Sequence, residues 1–208
     1  MHANGKARPF MSTNIQWQSF KLTESDRAKI KHQQPLCLWM TGLSGAGKST
    51  LANALEEKLN SLGKHTYILD GDNVRTGLNS DLDFSAESRE ENIRRIGHVS
   101  NLMKDAGLVV LSAFVSPYRK DREFVRRTVG EEAFTEVFIS TPLEICEQRD
   151  VKGLYVKARR GEIKNFTGIS APFEQPNYPD LDIPTQLFTV EAAAKRVVDH
   201  ILLKITNQ

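Results

Sequence analysis

The run Gly42-Leu43-Ser44-Gly45-Ala46-Gly47-Lys48-Ser49 fits the pattern G-x-x-x-x-G-K-[ST], and those residue types suit one task, wrapping a chain of phosphates. Successive main-chain N–H groups can all face one phosphate only where the backbone turns through positive φ without side chains in the way. Glycines at 42, 45 and 47 meet that demand. Lys48 brings a point charge to the β- and γ-phosphates and Ser49 can ligate Mg²⁺. The helix that follows, Thr50 in its first turn, adds the partial positive charge of its N-terminus. A second group, Asp70-Gly71-Asp72-Asn73-Val74-Arg75, offers paired carboxylates. One can help to hold the metal, and the other can take a proton from an attacking hydroxyl. Taken alone, Asp70 and Asp72 also read as an Asp-Gly turn with solvated side chains.

Downstream lie Arg75, Phe84, Arg89, Asn92, Arg94 and Arg95, cations and one ring gathered in a chain whose 28 Lys and Arg nearly balance 26 Asp and Glu, for a net charge of +2. An anionic acceptor explains the gathering: the arginine fork holds two oxygens of a phosphate or sulfate, and a ring stacked on a base contributes about 1–3 kcal/mol. Glu90, Glu91 and Arg94 read more simply as a solvated helix face with i,i+4 pairs. Arg89 and Asn92 share azimuth with the apolar stripe Ile93, Ile96, Val99 and Met103, so they point inward. The stretch from Arg149 to Gly161 is dense in cations, carries two glycines, and reads as a lid that excludes water and brings positive charge to a migrating phosphoryl group, or else as a basic surface helix. Ser116, ahead of Pro117, stands where a hydroxyl is more often a hydrogen-bond donor than a nucleophile.

These residues need a scaffold, and the chain supplies one. Its 208 residues fit one domain, and 39 % apolar with 26 % charged residues describe a folded chain with a sizeable core. The balanced charge gives no global field to hold nucleic acid, and the longest apolar run, Leu108 to Val115, is far shorter than the roughly 18 residues of a membrane span. Cys37 and Cys146 lie in apolar patterns and read as reduced core thiols of a cytoplasmic enzyme. After a polar extension, residues 1–34, short β-type runs alternate with helical segments, which predicts a parallel sheet with crossover helices. Strands are expected at 36–41, 66–69, 108–113, 136–139 and 186–188. Leucines at 51, 55, 59 and 62 predict one helix, residues 86–106 a second, and the stripe from Ala194 to Ile205 a third. The Pro-rich piece from Ala171 to Pro184 reads as an extended surface connection. The fold class expected is therefore α/β, a three-layer P-loop architecture over residues 35–208 with a central parallel sheet of about five strands, helices on both faces and a lid at about 149–168.

The chain lacks any Asn-Lys dipeptide, so it has no guanine-reading N-K-x-D motif, and its most hydrophobic strand ends without a Walker B acid. In an open α/β sheet, acids following a neighbouring strand face the phosphate loop from outside the carboxyl ends of the strands. From about Leu38 to Ile169 the sequence resembles the adenylylsulfate kinase (APS kinase) family. The matching stretches are the 42–49 loop, Leu69 to Arg75, Arg89 to Arg95, Ser116-Pro117-Tyr118, Asp150 to Tyr155 and Asn165-Phe166-Thr167-Gly168-Ile169.

The resemblance implies transfer of phosphate from ATP, with Mg²⁺, to the 3′-hydroxyl of adenosine 5′-phosphosulfate (APS), giving 3′-phosphoadenosine 5′-phosphosulfate (PAPS) in sulfate assimilation. It makes Asp70 and Asp72 the metal and base carboxylates, and Asp72, Asn73, Arg75, Arg89, Asn92 and Thr167 neighbours of the acceptor. Phe84 and Phe166 would sandwich the adenine, and Lys152 would reach in from the lid. The family is often described with a phosphoserine intermediate at the position of Ser116, and as a homodimer. Two residues depart from the family pattern. Asp83 replaces a usual glycine and sets a carboxylate near an anionic acceptor, which predicts weaker binding. Val156 replaces a usual lysine in the lid, with Arg160 nearby to compensate. The competing reading is another P-loop small-molecule kinase with a different anionic acceptor, such as a sugar acid, which needs no aromatic sandwich. A nucleotide-sensing module without turnover would have no need of Lys48, Ser49, Asp70 and Asp72 together.

Overall fold

The computed structural model describes Gln16 and residues 18–206. Along the chain run α1 (Glu24–Ile30), β1 (Leu36–Thr41), α2 (Lys48–Ser61), β2 (Thr66–Asp70), α3 (Gly71–Arg75), α4 (Ala86–Asp105), β3 (Val109–Ala113), α5 (Arg119–Val129), β4 (Phe134–Phe138), α6 (Leu143–Arg149), α7 (Leu154–Arg159), β5 (Leu181–Asp182) and α8 (Val190–Ile205). The five strands form one parallel sheet in the order β2-β3-β1-β4-β5. β1 therefore lies between β3 and β4, and the loop leaving it opens at the middle of the carboxyl edge, where the strand order reverses.

All six residues of β1 are buried because both faces of the strand are covered, which is why the run Leu-Cys-Leu-Trp-Met-Thr shows no polar alternation. Leu36, Leu38 and Met40 pack with Leu51, Leu55 and Leu59 of α2 and with Val197, Val198 and Ile201 of α8. Cys37 and Trp39 point the other way, into Ile93 and Ile96 of α4, Val125 and Val129 of α5, and Phe134. Both cysteines are free and buried, as their apolar settings predict. Among the described residues, no helix is long and apolar enough to cross a membrane.

Four expected strands are present with small shifts of boundary. The fifth is a correction. Residues 186–188 form no strand, because the chain turns there after Pro184, with the Leu187 N–H donating to the Pro184 carbonyl at 2.9 Å. The strand is Leu181–Asp182, inside the piece expected to be a surface connection, and the adjoining Ile183 is fully buried. Before residue 35, α1 opens with a reciprocal cap between Thr23 and Asp26, and Arg27 pairs with Asp105 at the end of α4 at 2.7 Å. Gln33, fully buried, donates to the carbonyls of His65 and Gly107 at 3.0 and 2.8 Å and so ties this segment to the amino edge of the sheet.

Candidate active site

The loop from Gly42 to Gly47 leaves β1 and feeds α2, whose N-cap is Gly47 in the left-handed region. Gly45 has φ +73°, and a Cβ there would sit 3.1 Å from the Cys146 carbonyl oxygen. At Gly42 the obstruction is tighter, since a Cβ would meet the Ile139 carbonyl oxygen at 2.6 Å. The outward side of the loop is braced. The Ala46 carbonyl accepts from Thr141 Oγ1 at 3.0 Å, Thr185 Oγ1 at 2.8 Å and Arg149 at 3.2 Å, and the Ser44 carbonyl accepts from the Tyr155 hydroxyl at 2.9 Å. With these carbonyls tied from behind, the opposite face of the loop is left for main-chain N–H donors.

Lys48 is buried and its ammonium donates to the carbonyls of Gly42 and Leu43 at 2.9 and 2.8 Å. Burial lowers its pKa to about 8, with Asp70 opposing that shift. Ser49 donates its hydroxyl to Asp70 Oδ2 at 2.6 Å, so the two groups expected at the metal stand side by side. The other oxygen of Asp70 caps α3, accepting from the N–H of Asp72 at 2.9 Å. Asp72 is exposed and forms an ion pair with Lys152 across the site.

Two clefts meet at this point. One, of about 500 Å³, lies over Gly45 to Leu51, reaches Arg149 and Phe188, and has Asp70 and Asp72 in its wall. The smaller, of about 230 Å³, is lined by Arg75, Phe84, Arg89, Asn92, Phe166 and Thr167 among others. Asp72, Lys152, Ser44, Gly71, Phe114 and Val115 border both. The expected acceptor residues are thus brought together, except Asn73, whose N–H caps onto Asp70 at 3.4 Å and which lines neither cleft.

The aromatic walls are held by the arginines. Arg75 lies over the Phe84 ring, 4.5 Å from its centroid, and donates to the Leu82 and Asp83 carbonyls at 2.9 and 3.1 Å. Arg89 donates to the Phe84 carbonyl at 3.0 Å and, on the far wall, to the Asn165 carbonyl and the Thr167 hydroxyl. Phe166 packs edge-on against Tyr155 with centroids 5.0 Å apart. Phe84 is 59 % exposed, a large ring standing in solvent at the mouth of a cleft.

Ser116, where the resemblance implies a carrier of phosphate, borders the smaller cleft. It is 2 % exposed, it adopts φ +39°, and its hydroxyl accepts from the Trp39 indole N–H at 3.1 Å and donates to Thr41 Oγ1 at 3.0 Å. Its carbonyl accepts from the buried Arg122 at 2.7 Å, and Arg122 pairs with Glu136 at 2.8 Å. These contacts make it a fixed corner of the site. The Asp83 carboxylate accepts from the Ser85 N–H and hydroxyl at 2.9 and 2.6 Å, and Asp83 lines neither cleft. Hydrogen bonds from Ser85 and then Ser88 pull its pKa down to about 2. Val156 is half-exposed, and neither it nor Arg160 lines either cleft.

Sequence reasoning missed Thr141 and Thr185 behind the loop and Phe188 beside it. Nothing near the glycine motif signals them, since they lie about ninety or more residues on and arrive through β4, β5 and α8.

The family model described as adenylylsulphate kinase matches residues 34–184. The adenylyl-sulfate kinase of Shewanella sp. (strain MR-7) is 57 % identical over 189 residues, covering 91 % of this chain and 92 % of that protein. Among solved structures, the Mycobacterium tuberculosis APS kinase CysC in complex with AMPPNP and APS superposes with a TM-score of 0.78 at 45 % identity, covering 81 % of this chain and 98 % of that one. A hexameric APS kinase from Thiobacillus denitrificans matches with a TM-score of 0.62 at 30 % identity, covering 84 % of this chain and 30 % of that one.

Proposed function

Because the chain belongs to the adenylylsulphate kinase family, we propose that its two clefts divide that family's reaction, ATP over the 42–49 loop and APS between Phe84 and Phe166. The enzyme phosphorylates the 3′-hydroxyl of APS with ATP, giving PAPS and ADP. The observation that carries the division is the position of Asp72, exposed and shared by the walls of both clefts, where the transferred group must cross.

In this reading the loop N–H groups and Lys48 hold the triphosphate, and Asp72 accepts the proton of the 3′-hydroxyl as its oxygen attacks the γ-phosphorus. Arg75, Arg89 and Asn92 hold the anionic end and the walls, the two rings hold the base, and Lys152 brings the lid's charge to the transferring group once it leaves Asp72. Ser116 positions the floor of the site, and transfer is directly in line. The Ser49 hydroxyl beside Asp70 suits a hard, oxygen-seeking cation that keeps waters and phosphate oxygens as its other ligands. Bound there, Mg²⁺ would neutralise charge on the β- and γ-phosphates.

A homodimer in the cytoplasm is proposed on the family resemblance, with the free, buried thiols in keeping with a reducing compartment. Light scattering that gave the mass of a single chain would remove the dimer. The test of the function is to offer APS with MgATP and look for the 3′-phosphorylated product, with adenosine monophosphate and gluconate as control acceptors. Phosphorylation of gluconate with APS left untouched would overturn the assignment of the smaller cleft.

A further inference from the structure

Asn79 belongs to the turn between α3 and α4 and has no exposed surface. Its backbone is fixed: the Asn79 N–H donates to the Val74 carbonyl at 2.9 Å, and its carbonyl accepts from the Leu82 N–H at 3.2 Å. The turn is fastened to α4 by Arg95, which grips Asp81 with two bonds at 2.7 and 2.8 Å. From this anchored position the Asn79 amide donates through Nδ2 to Asn92 Oδ1 at 2.9 Å.

That bond settles which end of the Asn92 amide faces the smaller cleft. With Oδ1 committed to Asn79, the free end is Nδ2. Among the described residues, only Asn79 Oδ1 and Asp121 Oδ2 are enclosed side-chain polar atoms without a partner, so Asn92 Nδ2, which donates to no protein group, keeps an opening. We infer that Asn79 is a positioning residue for the acceptor: it holds the Asn92 carboxamide with its N–H₂ toward the cleft, as a donor to an anionic ligand's oxygen beside Arg75 and Arg89. This rests on the reading that Asn92 contacts the acceptor.

A double-mutant cycle separates the two claims. Asn79→Leu, similar in size and unable to bond, lets the Asn92 amide turn its oxygen to an anion. KM for APS should rise about 3- to 10-fold, the factor a hydrogen bond of ordinary net strength gives, with kcat and KM for ATP unchanged within about twofold. In an Asn92→Ala background the same substitution should leave KM for APS where Asn92→Ala alone puts it. An equal rise in both backgrounds, or no rise with Asn92 intact, overturns the positioning role. Unchanged KM in Asn92→Ala alone overturns the assignment of Asn92, and the proposal with it. If Asn79→Leu does not fold, as thermal melting would show, Asn79→Ser carries the same cycle because its side chain is too short to reach Asn92.

Discussion

Replacing Ser116 by alanine separates a hydroxyl that carries phosphate from one that holds the site together. The substitution removes the acceptor at 3.1 Å from the Trp39 indole N–H, inside a fully buried ring, and the donor at 3.0 Å to Thr41. Thr41 keeps its own bond to the Val115 carbonyl at 2.8 Å, so the main loss is one buried donor without a partner, about 1–3 kcal/mol. For a chain of this size each kcal/mol moves Tm by roughly 2–4 °C, which places the expected drop at about 2–12 °C. Direct transfer needs nothing from the hydroxyl, so kcat for ADP release with MgATP and APS, measured well below the variant's melting transition, should stay within about tenfold of the parent enzyme. Ser116→Gly refines the comparison. It removes the same hydroxyl but accepts φ +39° without strain, so it should melt above Ser116→Ala, by about 1 kcal/mol of stability, at similar kcat. A loss of turnover beyond about a thousandfold in both variants, with Tm unmoved, would show that the hydroxyl does covalent work and refute the reasoning.

Three further outcomes follow from the same geometry. Burial puts the Lys48 ammonium at a pKa of about 8, so it is charged below that pH and neutral above it; affinity for a non-hydrolysable ATP analogue, followed by calorimetry from pH 7 to 9.5, should fall as pH rises, by at most about tenfold per unit, and a flat profile would contradict this. Asp121, buried with one oxygen unpartnered, is pushed up to about 6 by burial, with Glu90 and Glu174 adding to the shift and Lys120 and Arg122 opposing it. Its folded pKa lies above the unfolded one, so its stabilising contribution is complete below about pH 4 and lost as pH rises through about 6. Asp121→Asn should therefore stabilise the protein at pH 8 by roughly 2 kcal/mol and much less at pH 4.5 in urea melts, whereas an equal effect at both would rule out titration as the cause. Phe84→Ala and Phe166→Ala should each raise KM for APS by about 5- to 150-fold, the equivalent of 1–3 kcal/mol of base stacking, with KM for ATP unmoved; equal rises for both substrates would place the rings elsewhere.

The parts of this site that could be read from the sequence are those whose chemistry is local. Gly42 to Ser49 carry their function in spacing, because the strand before them and the helix after them are set by the same few residues. Arg89 and Asn92 could be placed inward because helical periodicity is a local rule, and α4 keeps it over 20 residues. Contacts that depend on strand order stayed out of reach. Thr141, Arg149 and Thr185 converge on one carbonyl, that of Ala46, only because β4 lies beside β1 and β5 beside β4. The fifth strand is misplaced for a related reason: two residues between Pro179 and Pro184 form a strand only when a neighbouring edge is there to pair with them. Asp83 shows a third limit. Its charge was legible and its direction was not. A carboxylate beside an anion site predicts repulsion, but one that accepts from Ser85 at the start of α4 is aimed at the helix N-terminus, where negative charge is favourable. The sign of a side chain's effect on its surroundings is therefore decided by the turn it caps, and here that turn holds the Asp83 carboxylate against Ser85 at the start of α4.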